Sequence, residues 1–591
     1  MVKNLRISVT PAASEQFGCA LEQALEHFKK KIAHRSPVAF PEEGGDAVLV
    51  IDYDKNVREE GFRLGGCAGR RELSAAAVQG VLAGLGKFLR TSRYTEAGMI
   101  LSDWEGTSVP TSRMRGIQMD THFCNFYHMA PQSELEEYVA DLAFWGVNYF
   151  DVVFPIIDLN GWDDPELVHI TGKIKAIFGE AKRLGLKVGV EIVPNQDFVI
   201  RREEYAAAPN QEPVRRRGNN GHNMCPNIPG ALEYMTDLYT RMVKFLADEG
   251  ALMDFLCFWP YDEGGCGCEK CRPWGANGYL KACRSIYEST KQLNPAMEII
   301  LSTWLFDCHQ NDGEWEGLDA AMRRDHSWVD YILADSHTDF PRYPLEHGTI
   351  GGVPVVNYPE ISMWGLFPWG GYGANPLPRR FERLWNQVKS IAKGGICYSE
   401  GCFDDLNKVV CTQFYWDAEA TADAAVREYL AYEISPAAVD TLLEAIYTVE
   451  RHHNETVVDN SRAITREANV LSVTPEICAR AAEILEKTDA LKASLPASVT
   501  ESWRFRMLYD RIKLDKLRYE LAWAKRDSLT DRSAWFHALQ GSEEAAEVLR
   551  DVVAISHNPL RYDDVNHPMF CVVRPPLREV EGTAPDGTKY M

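Results

Sequence analysis

The run Phe255-Leu-Cys-Phe-Trp-Pro-Tyr-Asp262-Glu263-Gly-Gly-Cys266 decides how the rest of the chain is read. Its first five residues are apolar, as in a strand buried on both faces. Two adjacent carboxylates and two glycines follow, so the acids fall where strand gives way to loop. In α/β barrels the strand tips carry the chemistry. Neighbouring carboxylates repel, so a fold that keeps them holds them in different environments and separates them into an acid and an anionic role. An Asp-Glu pair on an ordinary surface loop is simply solvated. Here the core strand before it and the glycines after it mark a site.

Working outward, the chain alternates strand and helix from Arg115 onward, which predicts a parallel sheet. Eight strands are expected: Arg115–Asp120, Val147–Phe154, Lys187–Val193, Phe255–Trp259, Glu298–Leu305, Val329–Ala334, Val353–Tyr358 and Gly395–Tyr398. Helical stretches fall between most of them, among them Glu134–Trp145, Gly230–Asp248, Leu280–Leu293 and Arg379–Ala392. Eight such units in this length predict a (β/α)8 barrel over residues 111–424. The polar loop from Pro194 to Cys225 is expected to shape a cleft. Residues 1–110 read as a small α/β domain, with strands at Ala47–Ile51 and Glu59–Leu64 and a helix over Glu72–Leu89. Residues 425–591 read as a helical domain, with helices at Val439–Val449, Pro475–Leu491, Glu501–Ala524 and Ser542–Val553.

The net charge of −22, from 63 basic and 85 acidic residues, argues against nucleic acid and anionic membranes as partners, since their phosphates need a basic footprint. The 15 cysteines are an odd number scattered through core strands and loops, unlike a secreted disulfide framework. Met1-Val-Lys-Asn-Leu-Arg-Ile-Ser-Val carries no long apolar run, and no later run reaches membrane-spanning length. A cytoplasmic protein is expected. Nothing in the sequence sets an oligomeric state.

Residues just beyond the expected strands form a constellation. The first strand gives Asp120 and His122, and the third gives Glu191, Asn195 and Gln196. The fourth gives Asp262 and Glu263, the fifth Trp304 and Asp307, and the sixth Asp335 and His337. The seventh gives Tyr358, Glu360, Trp364 and Trp369, and the eighth gives Glu400 with Asp404 and Asp405 behind it. Acids with aromatics on one face suit a sugar, because carboxylates accept from hydroxyls and indole faces stack on the ring's C–H surface. Any single Trp is better explained by core packing; all the tips together are not. Phosphoryl transfer would want basic or glycine-rich loops too, and these are absent.

The barrel resembles that of the β-N-acetylhexosaminidases, glycoside hydrolase family twenty and related β-N-acetylgalactosaminidase families. Arg115-Gly-Ile-Gln-Met-Asp120 is similar to the family's Arg-Gly-x-x-x-Asp first strand. Asn223-Met-Cys-Pro-Asn227 is similar to its approach to the fourth strand, Asp262-Glu263 to its catalytic pair, and Tyr398-Ser-Glu400 to its Trp-x-Glu. The order of elements before residue 110 resembles the family's accessory domain. The family's His-x-Gly-Gly before the acids is here Phe258-Trp-Pro-Tyr261, and Asn195 and Gln196 stand near the place of its third-strand histidine. The resemblance implies an exo-acting hydrolase that removes a terminal β-linked N-acetylhexosamine from an oligosaccharide or glycoconjugate without a required cofactor. Glu263 would be acid and base, Asp262 would orient the 2-acetamido group, and Arg115 would bind sugar hydroxyls. Asp120, His122, Asn195, Trp304, Asp335, His337, Tyr358, Glu360, Trp364, Trp369 and Glu400 are the further candidates for substrate binding. Two alternatives stand beside it. One is a retaining glycosidase with Glu263 as acid/base and Glu360 as protein nucleophile. The other is a carbohydrate-binding barrel without activity.

One pattern has metal-ligand spacing. Cys266-Gly-Cys268-Glu-Lys-Cys271 contains Cys-x2-Cys, and Cys283 on the next helix would complete four thiolates for a structural zinc. Free thiols in a packed loop are the competing reading.

Overall fold

The structure is a computed structural model. It describes the chain apart from residues 59, 123–124, 200–201, 209–222, 262–264, 310–312, 337–338, 363–372, 457–472, 526–541 and 558–591, and apart from the side chains of 308–309 and 454–456.

The N-terminal part is a five-stranded sheet in the order β1-β2-β4-β3-β7. These strands are β1 (Leu5–Val9), β2 (Ala47–Tyr53), β3 (Phe62–Cys67), β4 (Arg70–Ala75) and β7 (Gly106–Ser108), with a small hairpin of β5 (Arg93–Thr95) and β6 (Gly98–Ile100) alongside. Two helices accompany the sheet, Pro11–Arg35 and Val78–Thr91. The first has no counterpart in the sequence reading. The expected helix over Glu72–Leu89 begins later than its composition implied. Residues Arg70–Ala75 instead form a central strand, parallel to β2 and antiparallel to β3. Pairing on both edges overrides the helical preference of Leu and Ala there. Gly86 lets this helix approach the barrel closely: a Cβ on it would lie 1.8 Å from the carbonyl oxygen of Phe144.

Eight strands close a parallel barrel: β8 (Met114–Met119), β9 (Tyr149–Val153), β10 (Lys187–Ile192), β11 (Phe255–Phe258), β12 (Glu298–Ser302), β13 (Tyr331–Asp335), β14 (Val355–Tyr358) and β15 (Gly394–Ser399). Every expected barrel strand is present, each within a few residues of its predicted ends. The (β/α)8 fold follows. Strand β11 shows why the run reads as continuously apolar. Phe255 and Cys257 belong to the cluster that fills the barrel, with Tyr149, Ile300, Leu333, Val356 and Ile396. Leu256 and Phe258 belong to the layer beneath the surrounding helices. Alternate side chains point opposite ways along a strand, and here both faces are dry.

After the barrel come the helices Ala422–Tyr429, Val439–Thr456, Pro475–Ser494, Trp503–Ala524 and Glu543–Ile555. Arg504 fastens this part to the barrel, donating to Asp405 at 2.7 Å and Asp141 at 3.1 Å. Among the described residues no helix is long and apolar enough to cross a membrane.

Candidate active site

The C-terminal ends of the parallel strands share one rim, and in the sequence Asp262 and Glu263 follow the last residue of β11 by four and five positions. Residues 262–264 lie outside the described residues, but their flanks do not. Before them, the Tyr261 hydroxyl donates to Glu314, the Trp274 indole N–H donates to the Pro260 carbonyl at 2.6 Å, and the Tyr279 hydroxyl donates to the Phe258 carbonyl at 2.6 Å. After them, Gly265 is held by Asn195. The Asn195 Nδ2 donates to the Gly265 carbonyl at 3.1 Å, and its Oδ1 accepts from the Gly265 N–H at 3.3 Å. Both ends of the acid segment are therefore fixed by buried hydrogen bonds, which are costly to leave unmade.

Aromatic rings build one wall. Trp259 stacks on Trp304 with centroids 5.3 Å apart, and Tyr358 meets both edge-on at 5.0 and 6.0 Å. Tyr398 lies 6.1 Å from Tyr358. Trp304 is half-buried. The Tyr358 hydroxyl donates to Gln118 Oε1 at 2.6 Å and the Tyr398 hydroxyl to Glu400 Oε1 at 2.6 Å. Burial pushes both phenols well above their ordinary range, and nearby carboxylates add to the effect: Glu191 and Asp120 at Tyr358, Asp120 and Glu400 at Tyr398. Both remain neutral donors.

Beneath the aromatics lies an acidic floor. Carboxylate oxygens of Asp151 and Glu191 and the Cys257 sulfur all lie within 4.8 Å of one another, and all three residues are buried. Burial holds the Asp151 carboxyl well above the usual carboxylate range, so it keeps its proton where an exposed Asp would have lost it.

The candidates from the sequence separate into three groups. Asp120, His122, Trp304, Asp335, Tyr358, Glu360 and Glu400 lie on or just beyond strand tips on the rim. His122 Nδ1 is 3.8 Å from Asp120 Oδ1, and Glu360 pairs with Tyr398 through a β-bridge. Asn195 is fully buried and spends its amide on the backbone of Met224 and Gly265, so it positions the loop. Asp262, Glu263, His337, Trp364 and Trp369 lie outside the described residues.

Arg115 is a correction. It stands at the start of β8, at the opposite end of the barrel from the rim. Its guanidinium donates to Glu60 of the N-terminal part at 2.5 Å, to the Gly146 carbonyl at 2.7 Å and to the Ser112 carbonyl at 2.8 Å. It ties the barrel floor to the preceding sheet and does not reach a sugar at the rim. Cys283 is a second correction. The thiol that joins Cys266, Cys268 and Cys271 is Cys225, and Cys283 is buried separately on the helix Gly278–Thr290.

No family model matches the chain, and no curated protein matches its sequence. Solved structures do match in three dimensions. A family 89 glycoside hydrolase from Clostridium perfringens, in complex with PUGNAc, aligns with a TM-score of 0.61 and 12% identity over 92% of this chain and 67% of its own. A family 115 4-O-methyl-α-glucuronidase with specificity for decorated arabinogalactans aligns with a TM-score of 0.59 and 11% identity over 96% and 79%. A family 138 enzyme targeting pectin rhamnogalacturonan II aligns with a TM-score of 0.52 and 10% identity over 96% of both chains. The chain has a glycoside hydrolase fold. Because several families share it, the fold does not single out family twenty.

Sequence reasoning gave no role to Asp151, Gln118 or Trp259. The signal for Asp151 was present, since a carboxylate inside a strand that must be dry on both faces has to serve something. Gln118 and Trp259 carry no such mark, because each becomes part of the site only through the ring it meets across the barrel.

Proposed function

We propose that this protein is an exo-acting glycoside hydrolase whose site is the C-terminal rim of the barrel, and that it releases a terminal β-linked N-acetylhexosamine by substrate assistance. One observation carries the reading. The segment bearing Asp262 and Glu263 is anchored on both sides at a rim that already holds the Trp259–Trp304–Tyr358 aromatic cluster and the carboxylates of Asp120, Glu360 and Glu400. Indole faces supply the platform for a pyranose ring, and the carboxylates bind its hydroxyls.

In this reaction Glu263 protonates the glycosidic oxygen as it leaves, and the oxygen of the substrate's own 2-acetamido group attacks the anomeric carbon. Asp262 accepts the acetamido N–H and stabilises the cyclic cation. Glu263 then takes a proton from the water that opens the cycle, returning the anomeric carbon to its original configuration. Asn195 and Tyr261 keep the segment in register without touching substrate.

The test is a panel of aryl glycosides of N-acetylgalactosamine, N-acetylglucosamine, galactose and glucose in both anomers. The α-anomers belong in the panel because a similar family 89 structure is a complex with its substrate GlcNAc-α-1,4-galactose. Cleavage confined to the β-linked 2-acetamido sugars supports the reading, because only there does the acetamido oxygen face the anomeric carbon from the side opposite the leaving group. Cleavage of their α-anomers would overturn substrate assistance. Equal rates with and without the acetamido group would replace it with a protein nucleophile, for which Glu360, buried just past β14, is the candidate. No hydrolysis of any member, with sugar binding retained, would leave a carbohydrate-binding barrel.

A further inference from the structure

Two loops on the rim meet at four cysteines. Cys225 ends the long loop after β10, while Cys266, Cys268 and Cys271 follow the acid segment after β11. Their four sulfurs all lie within 4.8 Å of one another. Cys225 Sγ is 3.7 Å from both Cys268 Sγ and Cys271 Sγ. That spacing discriminates between the chemistries open to thiols. A disulfide brings its sulfurs to about 2.05 Å. Four thiolates around a tetrahedral zinc, each with a Zn–S bond of about 2.3 Å, stand about 3.8 Å apart.

The surroundings match thiolate ligands. The Asn227 side-chain amide donates to Cys271 Sγ at 3.1 Å, and its oxygen accepts from Lys281 Nζ at 2.9 Å. Such outer contacts disperse ligand charge and orient the sulfurs. Cys225, Cys266 and Cys271 are buried and Cys268 is half-buried, and four thiolates fill the coordination of a tetrahedral structural site.

We infer that Cys225, Cys266, Cys268 and Cys271 bind a structural zinc that clamps the β10 loop to the β11 loop. The clamp closes directly behind the acid segment, since Cys266 is the third residue after Glu263. It works alongside three hydrogen bonds between the same loops: Asn195 Nδ2 to the Gly265 carbonyl, the Gly265 N–H to Asn195 Oδ1, and the Gly267 N–H to the Ala208 carbonyl at 2.9 Å. The zinc takes no part in bond breaking, so the inference does not depend on the hydrolase reading.

The intact chain, purified without chelator, should carry one zinc by elemental analysis. Replacing zinc with cobalt(II) should give the intense visible bands and thiolate charge-transfer absorption of a tetrahedral all-sulfur site. Cys225→Ser should lose the metal, whereas Cys283→Ala should retain it. Removing the metal from the wild-type chain should raise hydrogen exchange in residues 223–228 and 265–274 while the barrel strands stay protected. The inference is overturned by wild-type protein that holds no zinc and gives no such cobalt spectrum, by disulfides among the four cysteines, by iron in place of zinc, or by equal metal content in the two variants. The wild-type measurements decide the matter even if Cys225→Ser does not fold, and none of them reads glycosidase activity.

Discussion

Asn195 grips Gly265 by both of that residue's backbone polar groups, accepting from the N–H and donating to the carbonyl, and so fixes the chain directly after the acid segment. The same amide also donates to the Met224 carbonyl at 2.9 Å, which joins the β10 loop to the arrangement.

Asn195→Ala should therefore cost about 1–3 kcal/mol of stability, because buried backbone groups lose their partners. It should lower kcat more than it raises KM, since the residue positions an acid and does not bind sugar. Asn195→Asp should be worse, because it places carboxylate oxygen against two carbonyls. Thermal unfolding with steady-state kinetics checks both. An Asn195→Ala protein with wild-type kcat would show that the acid segment holds its place unaided.

The two acids should separate by leaving group. Glu263→Gln removes the proton donor, so cleavage of an oligosaccharide should fall about 10²–10⁴-fold, while a dinitrophenyl glycoside, whose phenol departs unaided, should lose much less in its first step. Asp262→Asn should slow both alike, because every first step needs the acetamido group oriented. Equal losses for good and poor leaving groups in Glu263→Gln would remove that residue as the acid.

Arg115 and Glu400 should give opposite phenotypes. Arg115→Met strands the carbonyls of Gly146 and Ser112 beside an uncompensated Glu60, and should cost about 3 kcal/mol of stability with KM unchanged. Glu400→Gln leaves the fold intact but weakens a charge-assisted contact to substrate, with kcat/KM falling roughly ten- to a hundred-fold. Denaturant melts and kinetics on the same two proteins compare them directly. A raised KM in Arg115→Met at wild-type stability would return that residue to the site.

Asp151 makes a pH prediction. Its native-state pKa is raised by burial, so between the ordinary carboxylate value near ~4 and its native value the folded protein binds more protons than the unfolded chain. Its contribution to stability is thus most favourable below ~4 and declines as pH rises toward the native pKa. Asp151→Asn cannot ionise, so the variant should gain on wild type steadily as pH rises through this window. Urea unfolding across the range measures the two slopes, and parallel slopes would mean that Asp151 titrates as an exposed acid does.

Much of this molecule was legible in one dimension. All eight barrel strands stand where the sequence places them, because strands dry on both faces read as largely apolar runs, Phe255–Trp259 most plainly. The sequence also carries the signal that separates Arg115 from the rim. Five residues separate Arg115 from Asp120, roughly 16 Å of extended chain at about 3.3 Å per residue, so both could not serve one rim.

By itself the sequence determined the barrel, the rim on which its acids and aromatics fall, and the three clustered cysteines, since each depends on neighbours within a few residues. Only the tertiary structure decided that Cys225 and not Cys283 completes the thiol quartet, that Asn195 holds Gly265, and that Trp259 stacks on Trp304. Cys225 and Cys268 are 43 residues apart, and their sulfurs meet because β10 and β11 are adjacent in the closed barrel. Periodicity fixes which face of a strand a side chain takes; which loops touch is set by closure of the whole sheet.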